Sequence, residues 1–120
     1  MPNRNRIDAL IALVEQGKFV AALEEFYLDD ASMQENAGEP RRGLATLVAY
    51  ERGVMANFET IRGKHAGPIF VEGDHVVLNW VFEFTRRDGT SAKLEELTHQ
   101  RWQGDRIAEE RFYYDPTQLR

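Results

Sequence analysis

The stretch Val76-Val77-Leu78-Asn79-Trp80-Val81-Phe82-Glu83-Phe84-Thr85, followed closely by Asp88-Gly89, decides the fold. Its β-branched and aromatic residues suit a pleated sheet, and Asp-Gly suits a tight hairpin whose central residues need positive φ. A second segment from about Ala92 to Gln103 and a second turn at Gly104-Asp105 lead into Arg106–Asp115. Three antiparallel strands result. With two residues in each loop, Trp80 faces Leu97, Phe82 faces Glu95, Trp102 faces Ile107 and His99 faces Glu110. Period-two alternation then gathers Leu78, Trp80, Phe82, Phe84, Glu95, Leu97, His99, Glu110, Phe112 and Tyr114 on one face. An apolar wall with a few polar groups is what a ligand cavity needs. The opposite face carries Val77, Val81, Leu94, Trp102, Ile107 and Tyr113, an apolar patch that predicts a homodimer.

Upstream, Ile7, Leu10, Ile11 and Val14 form one helical stripe that stops at Gly17. A second helix begins near Lys18, with Phe19, Ala22, Leu23 and Phe26 on one side, and ends near Tyr27-Leu28. Ala31–Asn36 reads as a short strand. A third helix runs from Leu44 to about Asn57 with Glu51 as the polar intruder on its stripe, read as a carboxylate at the edge of the helix–sheet contact. Glu59–Val71 reads as a long strand bent at Gly63, Gly67 and Pro68. Three helices with one strand among them, then four strands, make a single α+β domain over residues 1–120, its helices on one face of a curved antiparallel sheet.

The 120 residues suffice for one core without staples. A formal net charge of −5 disfavours phosphate backbones and anionic lipid, so neither nucleic acid nor membrane is an expected partner. With no cysteine, disulfides and thiolate chemistry are excluded. Ile7–Val14 is too short and too charged for a membrane span or secretion signal, which makes the cytoplasm the expected compartment. His65, His75 and His99 lack metal-site spacing, and no phosphate-binding loop occurs, so no cofactor is expected.

Tyr27-Leu28-Asp29-Asp30-Ala31-Ser32-Met33-Gln34-Glu35-Asn36, with Gly38-Glu39-Pro40-Arg41-Arg42-Gly43, resembles ketosteroid isomerases. Gly104-Asp105-Arg106-Ile107-Ala108-Glu109 and Tyr113-Tyr114-Asp115 resemble the final hairpin of SnoaL-like polyketide cyclases and limonene-epoxide hydrolases. All belong to the nuclear transport factor 2-like superfamily, so the resemblance implies a cone of curved sheet with helices on its concave face. That fold hosts many functions. The isomerase's catalytic Asp would fall at Asn36, its oxyanion-hole Tyr near Leu10, and its protonated acid at Thr98 or His99. The epoxide hydrolase's Tyr and Asn would fall at Gln34 and Asn36, and its Arg and two Asp at Trp80, Phe82 and Phe112. The cyclases' Asp would fall at Asp115.

The candidate acid–base groups are therefore His99, Glu110 and Asp115, the first two because a carboxylate beside an imidazole can set its tautomer. Gln34, Asn36, Trp80, Phe82, Glu95, Phe112 and Tyr114 are the candidate ligand contacts. Each has a structural alternative: a cross-strand polar pair for His99 and Glu110, loop satisfaction for Gln34 and Asn36, core packing for the rings. Two functions fit: a cofactor-independent acid–base enzyme on a small hydrophobic carbonyl compound, or a non-catalytic ligand-binding or dimerisation module.

Overall fold

The computed structural model describes residues 2–120. Helix α1 (Arg4–Glu15) is capped by the Asn3 side chain, which accepts from the Arg6 N–H, and it buries Ile7, Leu10 and Ile11. Gly17, at φ +77°, provides the left-handed turn into α2 (Phe19–Phe26), which buries Ala22, Leu23 and Phe26. Strand β1 (Tyr27–Glu35) follows directly and starts earlier than its apolar content suggested. The two-residue β2 (Arg41–Arg42) and helix α3 (Leu44–Ala56) come next. Then come β3 (Thr60–Glu72), β4 (His75–Thr85), β5 (Ser91–Gln103), β6 (Arg106–Tyr113) and a closing 3-10 turn, Pro116–Leu119.

The six strands form one sheet in the order β2-β1-β6-β5-β4-β3. The meander is antiparallel as expected, but β1 lies parallel to β6, so the sheet is mixed. The helices cover its concave face, and the core joins Ile7, Leu10, Leu23, Phe26 and Leu47 to Leu78, Trp80, Trp102 and Ile107. Strand β3 breaks register between Ala66 and Phe70, around the anticipated Gly67-Pro68 bend. Gly63 lies opposite Phe82; a Cβ there would come within 2.5 Å of the Phe82 ring, so only glycine lets that ring lie flat across β3.

The expected register of β5 is off by one residue. Thr85 pairs with Ser91, and the Arg86 N–H donates to the Thr90 carbonyl. The loop is a three-residue connection with Gly89 at φ +89°, rather than a two-residue turn. This sets Trp80 opposite Glu96 and Phe82 opposite Leu94. The Gly104-Asp105 turn has its expected two residues and does set Trp102 opposite Ile107. A bulge at Ala108 then adds one residue to β6, so His99 faces Arg111 and Gln100 faces Glu110. The two slips cancel for β6 and leave β5 turned over relative to the expected faces. Leu94, Trp102 and Ile107, expected on the outer face, are therefore buried core residues, 4%, 1% and 0% exposed.

Candidate functional site

Ala92, Leu94, Glu96, Thr98, Gln100 and Trp102 alternate inward along β5. Two of the polar side chains, Glu96 and Gln100, thereby line a cavity of about 330 Å³ between the helices and the sheet. Leu10, Val14, Phe19 and Leu23 close it from α1 and α2. Tyr50, Glu51 and Val54 reach in from α3, and Trp80, Phe82 and Phe112 form the sheet wall. Trp80 and Phe82 stack with ring centroids 5.6 Å apart.

At the cavity floor Glu110 is held from three sides. Tyr27 donates its hydroxyl to one carboxylate oxygen; Thr98 Oγ1 (2.7 Å) and Gln100 Nε2 (2.8 Å) donate to the other. Trp102 Nε1 in turn donates to Gln100 Oε1 at 3.0 Å, fixing which way the amide points. Burial pushes the Glu110 carboxyl up, against the pull of the three donors. The Tyr27 phenol is pushed far up by its own burial and then by the neighbouring Glu110 charge. The Tyr27 proton is committed to Glu110 and Glu110 takes three donors, so proton transfer by either would disturb the network.

Glu96 is different. It is 8% exposed, it lines the cavity, and among the described residues no side chain donates to its carboxyl. Burial first, then the charges of Glu110, Glu35 and Glu51, push it up to about 8, so it holds its proton at neutral pH. Glu51 is also raised, chiefly by burial, but the Arg41 guanidinium pulls it back down. Glu51 therefore ionises more readily than Glu96. Arg41 pairs with Glu35 and lies 3.6 Å from the Tyr50 ring centroid.

The expected site is only partly assembled. Trp80, Phe82, Phe112 and Tyr114 line the cavity as anticipated, and Glu110 is inside it. His99 is not: it lies on the outer face, its Nε2 2.8 Å from Nδ1 of His75, because β5 is turned over. The expected His99–Glu110 pair does not form. These histidines border a separate polar cleft of about 400 Å³ that also includes Ser32, Gln34, Arg42 and Arg111. Gln34 uses its amide on the Gly38 carbonyl. Asn36, at φ +51°, accepts from the Tyr114 N–H through Oδ1 and from Arg111 Nε through its carbonyl, a turn-fixing role. Glu95 is exposed and its backbone is bound by Gln118. Asp115 is exposed and caps the closing turn through the Thr117 N–H. Glu96, Glu51 and Tyr27 had not been proposed as site residues. Parity held a signal for Glu96: Ala92, Leu94 and Trp102 share its face, against Leu97 alone on the other.

A curved sheet cupped around helices, with an aromatic-walled cavity between them, defines the α+β class of the protein. Within that class the chain belongs to the SnoaL-like domain family, whose model matches residues 7–110. The structure is similar to that of a Mesorhizobium loti protein assigned to the SnoaL-like polyketide cyclases (26% identity, TM-score 0.81, spanning 95% of this chain and 100% of that one). It is also similar to a ketosteroid isomerase-like protein from Catenulispora acidiphila in complex with trimethylamine (19%, TM-score 0.82, 98% and 90%). A third similar structure is TerC co-crystallised with polyporic acid (18%, TM-score 0.81, 98% and 94%). A search of the curated proteins returned no match to the chain. No described helix is long and apolar enough to cross a membrane.

Proposed function

We propose that the protein is a cofactor-independent acid–base enzyme acting on a small hydrophobic carbonyl compound, with Glu96 as the acid and Glu51 as the base. One observation carries this reading: the buried carboxyl of Glu96, which has no hydrogen-bond partner among the described residues and opens on an aromatic-walled cavity. A neutral carboxylic acid in such a place can donate to a carbonyl oxygen as negative charge develops there. Two carboxyls whose surroundings set their protonation apart divide into acid and base; Arg41 makes that division by favouring ionised Glu51 alone. Members of the fold that hold trimethylamine and polyporic acid support the idea of a small-molecule occupant. Asn36 and Glu110 are fully engaged in structure, which favours the alternative of a non-catalytic binding module.

The test is exchange of α-hydrogens of small cyclic ketones in D₂O, followed by NMR. The wild type should catalyse exchange, and Glu96→Gln and Glu51→Gln should each lower the rate by about 10²–10⁴-fold. No exchange with any ketone, or exchange unchanged in both variants, leaves only the binding module.

The homodimer expected from the sequence needs a different patch, because Trp102 and Ile107 are inside. Leu97 and Tyr113, cross-strand partners that are 47% and 41% exposed, are two of the large apolar residues the outer face presents, with Phe70 opposite Val77 at 61%. We propose that a two-fold interface covers them. Leu97→Glu is then expected to convert a dimer mass to a monomer mass in light scattering. A wild-type monomer at tens of micromolar would refute the interface.

A further inference from the structure

We infer that the occupant of the cavity carries a positive charge on an apolar frame, as a protonated amine or quaternary ammonium does. The inference rests on the reading of the cavity as a ligand site and goes with the binding-module alternative, since a cation beside Glu96 would take away the proton that the acid role needs. The charged groups facing the cavity are Glu35 from β1, Arg41 from β2, Glu51 from α3, Glu96 from β5 and Glu110 from β6. Arg41 pairs with Glu35 through one terminal nitrogen and also draws on Glu51. Glu96 and Glu110 have no ion-pair partner among the described residues, so the cavity lining holds more carboxyls than cations.

Burial chiefly, and after it the charges of Glu110, Glu35 and Glu51, favour the protonated form of Glu96. A cation entering beside Glu96 would offset those charges, whereas a carboxylate or phosphate ligand would add to them. Among the described residues no side chain donates to the buried, cavity-lining Glu96 carboxyl, so an incoming N–H or ammonium methylene would meet an unoccupied acceptor. The walls suit the same guest. Trp80, Phe82, Phe84 and Phe112 present ring faces and edges, and cations are attracted to ring faces within about 6 Å. The rim already shows the pattern in miniature, with the Arg41 guanidinium held between the Glu35 carboxylate and the Tyr50 ring.

Binding of a cation should drive a proton off Glu96. Tyr27, Tyr50 and Tyr114 also face the cavity; the Tyr27 phenol is held far above, and the Tyr114 phenol at about 12, so neither titrates near neutrality. The experiment is isothermal titration of the intact protein with benzyltrimethylammonium, benzyl alcohol and benzoate between pH 6 and pH 9. The ammonium should bind at least about tenfold more tightly than the alcohol at pH 8.5. Below pH 8 its affinity should rise up to about tenfold for each pH unit as a proton is released. Benzoate should be the weakest of the three. Glu96→Gln should flatten the pH dependence, and Glu51→Gln should weaken the ammonium by a larger factor than the alcohol.

Alcohol binding as tight as ammonium binding, or a flat pH profile for the wild type, overturns the cationic occupant and leaves the cavity as a ligand site. Failure of all three probes to bind overturns the ligand-site reading, and the cationic occupant with it.

Discussion

Glu96→Gln is expected to be more stable than the wild type at pH 8 by roughly 2–4 kcal/mol, and to match it within about 1 kcal/mol at pH 5. The sign follows from the direction of the shift. In the unfolded chain the Glu96 carboxyl ionises at its ordinary value of 4.5; in the folded protein it keeps its proton until about pH 8. Below the lower value both states are protonated and the wild type has its full stability. As pH rises between the two values, the unfolded state gains by ionising while the folded state cannot, so stability is lost across that window and levels off above it. Glutamine has the shape of the protonated acid and does not titrate, so its stability skips this loss. Glu51 and Glu110 are present in both proteins, and the difference between the two curves isolates Glu96. Urea unfolding at several pH values measures it. Parallel curves from pH 5 to pH 8 would mean that Glu96 is hydrated and ionised in the folded protein. The acid assignment would go with it.

Trp102→Ala is expected to cost about 3–5 kcal/mol, the usual cost of emptying a large buried ring. Trp102 is 1% exposed and meets Phe26 edge-on, with centroids 6.5 Å apart. Its indole N–H also orients Gln100, whose amide then donates to Glu110. Trp102→Phe keeps most of the ring volume and loses only the donor, so about 1 kcal/mol is expected. The two variants thus separate packing from the hydrogen-bond chain. Were the outer-face placement of Trp102 right, the alanine variant would change stability by no more than about 0.5 kcal/mol. Thermal or urea unfolding decides between them.

That contrast shows where reading the chain as a string loses its grip. Turn geometry was inferred from Asp88-Gly89, but the residue count of a hairpin loop is set by how strand twist and the left-handed Gly89 fit together. The bulge at Ala108 had no glycine or proline to mark it. Each is a one-residue event, and a one-residue event exchanges the faces of a strand. The buried parity of Ala92, Leu94 and Trp102 was a better guide to β5 than the turn, because the apolar residues must be buried wherever the loop lets them go.

The sequence by itself determined the three helices, the four closing strands and hence the α+β class, because helical stripes and strand alternation are local periodicities driven by burial; the SnoaL-like reading came from the resemblance of Tyr27–Gly43 and Gly104–Asp115 to known families. It also determined the aromatic wall of Trp80, Phe82 and Phe112, since β4 and β6 kept the same relative face after two opposite slips. Only the tertiary structure decided that β1 runs parallel beside β6, a contact between residues more than seventy positions apart. It likewise decided that Glu96 faces the cavity while His99 faces out, and that Glu110 bonds Tyr27 rather than an imidazole. The protonation of Glu96 depends on how many carboxyls from separate elements share one water-poor space, and no local pattern carries that number.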